Sequence, residues 1–131
     1  MIKGIEHTAI MVSDMDRSLE FYEQVLGMTL RHREWLNEDV ELAFLYYPKQ
    51  QSSLSEAEIE LVYEKGVDVH QLGEGLVNHL AFRVEDISET MGQLRELGIV
   101  FDEEEPIRVL GNVKIAFFSG PDGEILELVE R

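Results

Sequence analysis

The stretch IEHTAIMVSDMDRSLEFYEQVLG at residues 5–27 returns later in the chain as VNHLAFRVEDISETMGQLRELG at residues 77–98. His7 aligns with His79 at a separation of 72 residues, and an alanine, a valine and an aspartate follow each histidine at the same distances. Each stretch also ends in a glycine. This recurrence indicates that one structural unit is present twice.

The second half of the unit recurs as well. LAFLYY at 42–47 resembles IAFFSG at 115–120, and IELV at 59–62 resembles LELV at 126–129. The period is much longer than the ~20–50 residues of solenoid repeats. We therefore expect two copies of a small supersecondary unit rather than a repeat array.

Each copy has the predicted order β-α-β-β-β. Alternating apolar residues predict the strands, an aspartate or serine begins each helix, and the glycine in the C′ position ends it. The predicted strands of the first copy are 5–13, 28–36, 41–47 and 58–64, and those of the second are 77–85, 99–102 with 106–109, 113–119 and 124–130. The predicted helices end before Gly27 and Gly98, and the second spans 88–97. Residues 48–57 are predicted to form a polar loop. This order predicts an α+β fold in which two βαβββ repeats form a cupped mixed sheet with the helices on its outer face.

Composition limits the function classes. The 131 residues suit a single domain, with repeat one at about 4–64 and repeat two at about 76–131. A net charge of −16 disfavours nucleic acid and membrane partners. There is no apolar signal-peptide core or membrane-spanning run, so a cytoplasmic location is expected. Because cysteine is absent, any metal must be held by His, Asp or Glu.

Two glutamates lie in the middle of otherwise apolar strands. Glu60 is flanked by Ile59 and Leu61, and Glu127 occupies the matching place in repeat two. A carboxylate buried in a strand is costly unless something compensates its charge. Because side chains alternate along a strand, the large apolar neighbours face the helices and the glutamates face the concave side of the sheet.

The two aligned histidines, His7 and His79, are predicted to project onto the same concave face. Two imidazoles and two carboxylates suit a divalent transition metal such as Ni, Co or Zn and leave positions for water or substrate. We therefore interpret His7, Glu60, His79 and Glu127 as metal ligands. A structural histidine or a solvent-facing glutamate is the simpler reading of any one of them, and the duplication is what favours the set.

The segments IEHTAIMVSDMDRSLEFYEQVLGM, EIELVYEKGVD, VNHLAFRVEDI and SGPDGEILELVE resemble the vicinal oxygen chelate superfamily and, within it, glyoxalase I (lactoylglutathione lyase) and its bacterial relatives. The resemblance spans about residues 5–130. It implies the glyoxalase fold, a divalent metal and, commonly, a homodimer with sites at the interface. A glutamate at position 60 matches glyoxalase I better than the epimerases, which typically carry glutamine there, or the dioxygenases.

The resemblance also implies the chemistry. The substrate would be the hemithioacetal of methylglyoxal, or a similar 2-oxoaldehyde, with a thiol such as glutathione. Proton transfer through an ene-diolate would give a 2-hydroxyacyl thioester, with Glu127 as base and Glu60 as ligand and second proton carrier. Other superfamily enzymes (an epimerase, a dioxygenase or a thiol transferase) and a small-molecule-binding resistance protein are the alternatives.

The thiol-binding residues depart from the family pattern. Bacterial glyoxalase I usually has a basic residue four after the first ligand and an asparagine four after the second, whereas this chain has Met11 and Glu64. Arg108 falls near a basic position that relatives use for a substrate carboxylate, and Lys114 is a second candidate. Glutathione is therefore one candidate thiol, and a different thiol stays open.

Overall fold

The computed structural model describes residues 6–48, 57–72 and 79–131. The first residues of the predicted strands 5–13 and 77–85, and most of the predicted loop 48–57, lie outside the described residues. The chain divides into two compact units, Met1–Leu72 and Gly73–Arg131.

Unit 1 is a helix and a four-stranded mixed sheet. Its elements are β1 (His7–Val12), α1 (Met15–Glu20) continued by a π-helical turn (Phe21–Val25), β2 (Thr29–Trp35), β3 (Val40–Tyr46), β4 (Glu58–Glu64) and a 3₁₀ turn (Val69–Gln71). The strand order is β1-β4-β3-β2, in which β1 and β4 are parallel and the other pairs antiparallel.

Unit 2 repeats this arrangement. Its elements are β5 (Leu80–Arg83), α2 (Ile87–Glu96), β6 (Ile107–Val109), β7 (Val113–Ser119) and β8 (Ile125–Glu130). The strand order is β5-β8-β7-β6, again with a parallel first pair. The predicted α+β fold and the β-α-β-β-β order of both repeats are confirmed.

The helices begin and end where the sequence predicts. Asp14 accepts a hydrogen bond from the backbone N–H of Arg17, and Asp86 accepts one from Glu89. These carboxylates satisfy N–H groups that have no partner within the helix. Gly27 and Gly98 follow the helices with φ of 69° and 93°, a conformation that glycine adopts without steric cost.

One predicted strand is wrong. Residues 99–102 do not form a strand, because the backbone N–H of Ile99 bonds back to the carbonyl of Leu94 and still closes the helix end. Only at Asp102, whose N–H bonds to the carbonyl of Phe117, does the chain reach the sheet edge. The edge strand itself is confined to β6.

The core of each unit lies between its helix and one sheet face. In unit 1 α1 packs against β4, and in unit 2 α2 packs against β7 and β8. The buried apolar residues are Val12, Met15, Leu19, Tyr22, Met28, Ala43, Leu45, Ile59 and Leu61 in unit 1, and Ile87, Met91, Leu94, Phe101, Ala116, Phe118, Leu126, Leu128 and Val129 in unit 2. Because Ile59 and Leu61 face this core, Glu60 between them faces the opposite side of the sheet.

Candidate functional site

His7 and Glu60 meet on the face of the unit 1 sheet opposite to α1. The parallel register pairs Ala9 with Glu60, so His7, two residues earlier on β1, shares a face with that carboxylate. The Nε2 atom of His7 lies 2.9 Å from Oε2 of Glu60, and only 13% of the Glu60 side chain is exposed. The imidazole is therefore the compensating partner that a glutamate inside an apolar strand requires.

His79 and Glu127 form the equivalent pair in unit 2. The register pairs Ala81 with Glu127, as Ala9 pairs with Glu60 in unit 1. The Nε2 atom of His79 lies 2.8 Å from Oε2 of Glu127, whose side chain is 10% exposed. The sequence repeat is thus a repeat of local geometry as well as of residue type.

A phenylalanine ring contacts each histidine, which the sequence reasoning missed. The rings of Phe44 and His7 meet edge-to-face with their centres 6.4 Å apart, and those of Phe117 and His79 do so with their centres 5.8 Å apart. Each phenylalanine is the register partner of the glutamate on the neighbouring antiparallel strand: Phe44 pairs with Glu60, and Phe117 pairs with Glu127. The signal was present in the sequence, because LAFLYY and IAFFSG align these two phenylalanines. Phe118, by contrast, is buried in the core of unit 2.

The donor set fits a divalent metal as two halves. Each unit supplies one imidazole nitrogen and one carboxylate oxygen, which are ligand types that Zn, Ni and Co accept. Among the residues that the structure describes, no group of three or more His, Cys, Asp or Glu side chains is placed to hold a metal ion. The four-ligand set that the sequence predicts therefore stays a prediction, with one histidine–glutamate pair observed in each unit.

An ion pair lies beside the His7–Glu60 pair. Arg31 binds Glu58 through two hydrogen bonds, Nε to Oε2 at 2.5 Å and Nη2 to Oε1 at 2.9 Å. The hydrogen bond with Glu58 is the main cause that raises the pKa of Arg31 above its usual value. The Arg31 guanidinium also lies over the ring of Phe44, 5.0 Å from its centre.

Met11 and Glu64, which replace the expected thiol-binding residues, lie on the same sheet face as Glu60. Met11 pairs with Val62 in the β1–β4 register, two residues beyond Glu60, and Glu64 ends β4. On this face of unit 1, the apolar Met11 replaces the basic residue of the family pattern, and the exposed carboxylate of Glu64 replaces its asparagine.

Arg108 and Lys114 pair with each other in the β6–β7 register. Lys114 in turn pairs with Glu130, and its Nζ lies 3.3 Å from Glu130 Oε1. Strand alternation places these residues on the face opposite to Glu127. A hydrogen bond from the backbone N–H of Ile87, together with Lys114, lowers the pKa of Glu130.

Two further histidines, His32 and His70, do not belong to the pairs. His32 is exposed on β2, and its Nε2 lies 2.9 Å from Glu34 Oε2. His70 is exposed in the 3₁₀ turn, where its backbone N–H donates to Asp68. Both are therefore surface residues.

The fold and the paired residues define a class of protein: two βαβββ units, each with a histidine facing a glutamate across a parallel strand pair. A family model described as "Glyoxalase/Bleomycin resistance protein/Dioxygenase superfamily" matches residues 4–128. The chain belongs to this superfamily.

Its relatives include proteins named as lyases. The chain is 41% identical to a lactoylglutathione lyase of Haemophilus influenzae, over 97% of this chain and 92% of the relative. It is 36% identical to an uncharacterized protein of Bacillus subtilis, YwbC, over the full length of both. Among solved structures it resembles the trypanothione-dependent glyoxalase I of Leishmania major, with a TM-score of 0.75 and 33% identity over 98% of this chain and 87% of that one.

No helix within the described ranges is both long and apolar enough to cross a membrane.

Proposed function

We propose that this protein is a metal-dependent lyase of the glyoxalase I type. It would convert the hemithioacetal of methylglyoxal, or of a similar 2-oxoaldehyde, into a 2-hydroxyacyl thioester. The observation that carries the proposal is the pairing of imidazole Nε2 with carboxylate Oε2 at 2.9 and 2.8 Å in both units. The lactoylglutathione lyases among the relatives support the same reaction class.

His7, Glu60, His79 and Glu127 would hold one divalent ion, which is Ni, Co or Zn. When bound, such an ion acidifies the C–H next to the substrate oxygens and stabilises the negative charge that develops on them. The four protein donors suit this role because they leave coordination positions for substrate or water.

The glutamates of the set would move the proton. A carboxylate oxygen of Glu127 would take the proton from the hemithioacetal carbon and return it to the neighbouring carbon. The hydroxyl proton on the oxygen of the first carbon would pass to the oxygen of the second, so the first carbon becomes the thioester carbonyl and the second bears the hydroxyl. Glu60 would serve as ligand and second proton carrier. Phe44 and Phe117, beside the two histidines, would keep water from the transferring proton.

The thiol is the part of the substrate for which the chain departs most from its relatives. Glu64 would repel a carboxylate at the place where bacterial relatives bind one, and Met11 offers no charge there. Only the family resemblance supports Arg108 as a contact for the substrate carboxylate, because strand alternation places it on the sheet face opposite to Glu127; this role is tested by Arg108→Ala. The expected result is a higher KM for an anionic thiol adduct with an unchanged kcat, and an unchanged KM would remove Arg108 from the site.

We further propose that the protein acts as a cytoplasmic homodimer. The superfamily resemblance is what supports the dimer, and the net charge of −16 suits a highly soluble protein. Sedimentation of the metal-loaded protein would test the dimer directly.

The main experiment is thioester formation from methylglyoxal and a set of thiols, including glutathione, after loading with Ni, Co or Zn. We expect about one metal ion per chain, lost in His79→Ala, and a kcat for Glu127→Gln lower by about 10²–10⁴-fold. Glu89→Gln, on the exposed side of α2, is the matched control and should keep full activity. Full metal content in His79→Ala would refute the site, whereas normal metal binding without turnover with any thiol would refute the reaction.

A further inference from the structure

The residue that precedes the histidine in the sequence differs between the two units. In unit 1, Oε1 of Glu6 lies 3.1 Å from Nδ1 of His7, so the ring has a carboxylate at each nitrogen. The corresponding residue before His79 in the sequence is Asn78. An imidazole that binds a metal through one nitrogen is oriented by the partner of the other nitrogen.

The two units also differ at the residue of the neighbouring strand that pairs with the histidine. Glu58 is the register partner of His7, and its carboxylate is held by both nitrogens of the Arg31 fork. By the register of β5 and β8, the residue in this position of unit 2 is Ile125, which is exposed and carries no charge.

Arg31 links these groups. Its guanidinium lies on the Phe44 ring, and that ring meets the edge of His7 at an interplanar angle of 87°. It also interacts electrostatically with Glu6 as well as Glu58. A planar fork is suited to hold a carboxylate and an aromatic face at once, which the ammonium of lysine cannot reproduce.

We propose that Arg31, Glu58 and Glu6 are positioning residues that orient His7 for metal binding. Glu6 keeps the Nδ1 proton in place and leaves Nε2 for the metal, while the Arg31–Glu58 pair fixes the Phe44 ring against which the imidazole rests. This inference rests on the proposed metal site, but it concerns the histidine and does not depend on which reaction follows.

The experiment measures the affinity for Zn²⁺ alone, by competition with a chromophoric chelator, in the intact 131-residue chain. Outer-shell partners of a ligating histidine change metal affinity by about 10–100-fold when removed, and we expect a loss in that range for Arg31→Met and for Glu6→Gln. Arg31→Lys should recover only part of the loss. Arg17→Met, an exposed arginine of α1 that contacts Ser13, is the matched control and should bind Zn²⁺ as the wild type does.

Two readouts separate positioning from general destabilisation. Nitrogen NMR of the His7 ring should show Nδ1 protonated and Nε2 bound in the Zn²⁺-loaded wild type, and a mixture of tautomers in Glu6→Gln. Because Glu6 is 86% exposed, this variant leaves the core untouched even if Arg31→Met unfolds. In a His7→Ala background, Glu6→Gln should cause no further loss of Zn²⁺ affinity.

Zn²⁺ affinity within twofold of wild type in Glu6→Gln and Arg31→Met, with an unchanged His7 spectrum, would overturn the proposal. Loss of turnover with unchanged Zn²⁺ affinity would leave His7 positioning refuted and the lyase assignment intact. Loss of affinity in a protein that never turns over a hemithioacetal would refute the lyase assignment alone.

Discussion

Glu41 is a third glutamate inside a strand, and its partner is an arginine instead of a histidine. It is 8% exposed on β3, and Arg33 of β2 binds it through two hydrogen bonds of 3.1 Å. The same guanidinium lies 2.8 Å from Asp16 of α1. Arg33 thus ties the helix of unit 1 to two strands of its sheet.

Removing Arg33 should destabilise the protein much more than removing its exposed partner. In Arg33→Met the carboxylate of Glu41 stays buried without a partner, and such a broken pair costs about 3–5 kcal/mol. We expect about 3 kcal/mol, at the low end, because Arg33 is itself 35% exposed and water can reach the edge of the pair. Asp16→Asn should cost less than ~1 kcal/mol, since Asp16 is 84% exposed.

The double variant Arg33→Met with Glu41→Leu separates the charge from the packing. It removes both charges and leaves apolar side chains of similar size, so most of the lost stability should return. The hydrogen bond with Glu41 raises the pKa of Arg33 further, so the guanidinium stays charged throughout the usual pH range and the comparison is unaffected by titration.

The assay is urea unfolding of the metal-free protein, with the m-value checked for each variant so that a midpoint shift reports stability. An Arg33→Met variant no less stable than Asp16→Asn would refute the reasoning, because it would mean that water or another group satisfies Glu41. A double variant as unstable as Arg33→Met would show that shape, and not charge, holds this corner of the sheet.

Two further predictions concern backbone contacts and strain. Burial raises the pKa of Tyr47 to about 12 from its ordinary 10.0, and its hydroxyl donates to the carbonyl of Leu26. The neutral phenol therefore stabilises the fold fully below pH 10 and this stabilisation is lost as the pH rises through about 12. Tyr47→Phe should lower the free energy of unfolding by about 1 kcal/mol at pH 8, as measured by urea unfolding. As the pH rises towards 12, this variant should lose less further stability than the wild type. Parallel curves of stability against pH for the two proteins would contradict this. Leu110, 85% exposed, adopts a positive φ of 46° between β6 and β7, so Leu110→Gly should raise the free energy of unfolding by about 0.5–1 kcal/mol. Leu110→Ala keeps the strain and should bring no such gain, and an equal gain in both variants would exclude strain as the cause.

Much of the fold could be predicted because the local signals agree with one another. The strands at 58–64 and 113–119 have the predicted bounds, since apolar alternation and flanking polar or turn residues mark the same ends. The strand prediction for residues 99–102 was wrong because the apolar residues Ile99 and Phe101 suit a strand. The hydrogen bond from Ile99 to Leu94 that closes the helix cannot be predicted from composition.

The candidate site could be predicted only through the repeat. Glu41, Glu60 and Glu127 all occupy strands between apolar neighbours, and sequence pattern alone does not say which of them meets a histidine. The partner depends on strand register, which pairs Glu60 with Ala9 and sets Arg33 beside Glu41. Glu60 and Glu127 lie in segments that recur together with an aligned histidine, and this recurrence is what singled them out.

The repeated geometry of the two pairs is a physical argument that each pair has a functional role. Each unit keeps a carboxylate that is about nine-tenths buried, although burying it costs free energy and one imidazole is a modest compensation. An apolar residue would fill a purely structural position at a lower free-energy cost, as the buried Leu126 and Leu128 do on either side of Glu127. One nitrogen and one oxygen donor are too few to hold a catalytic metal, whereas two such pairs make a complete ligand set. Metal binding under the proposed function would account for this cost, and the Glu6 carboxylate and the Arg31–Glu58 pair would then orient the histidine of the unit 1 pair.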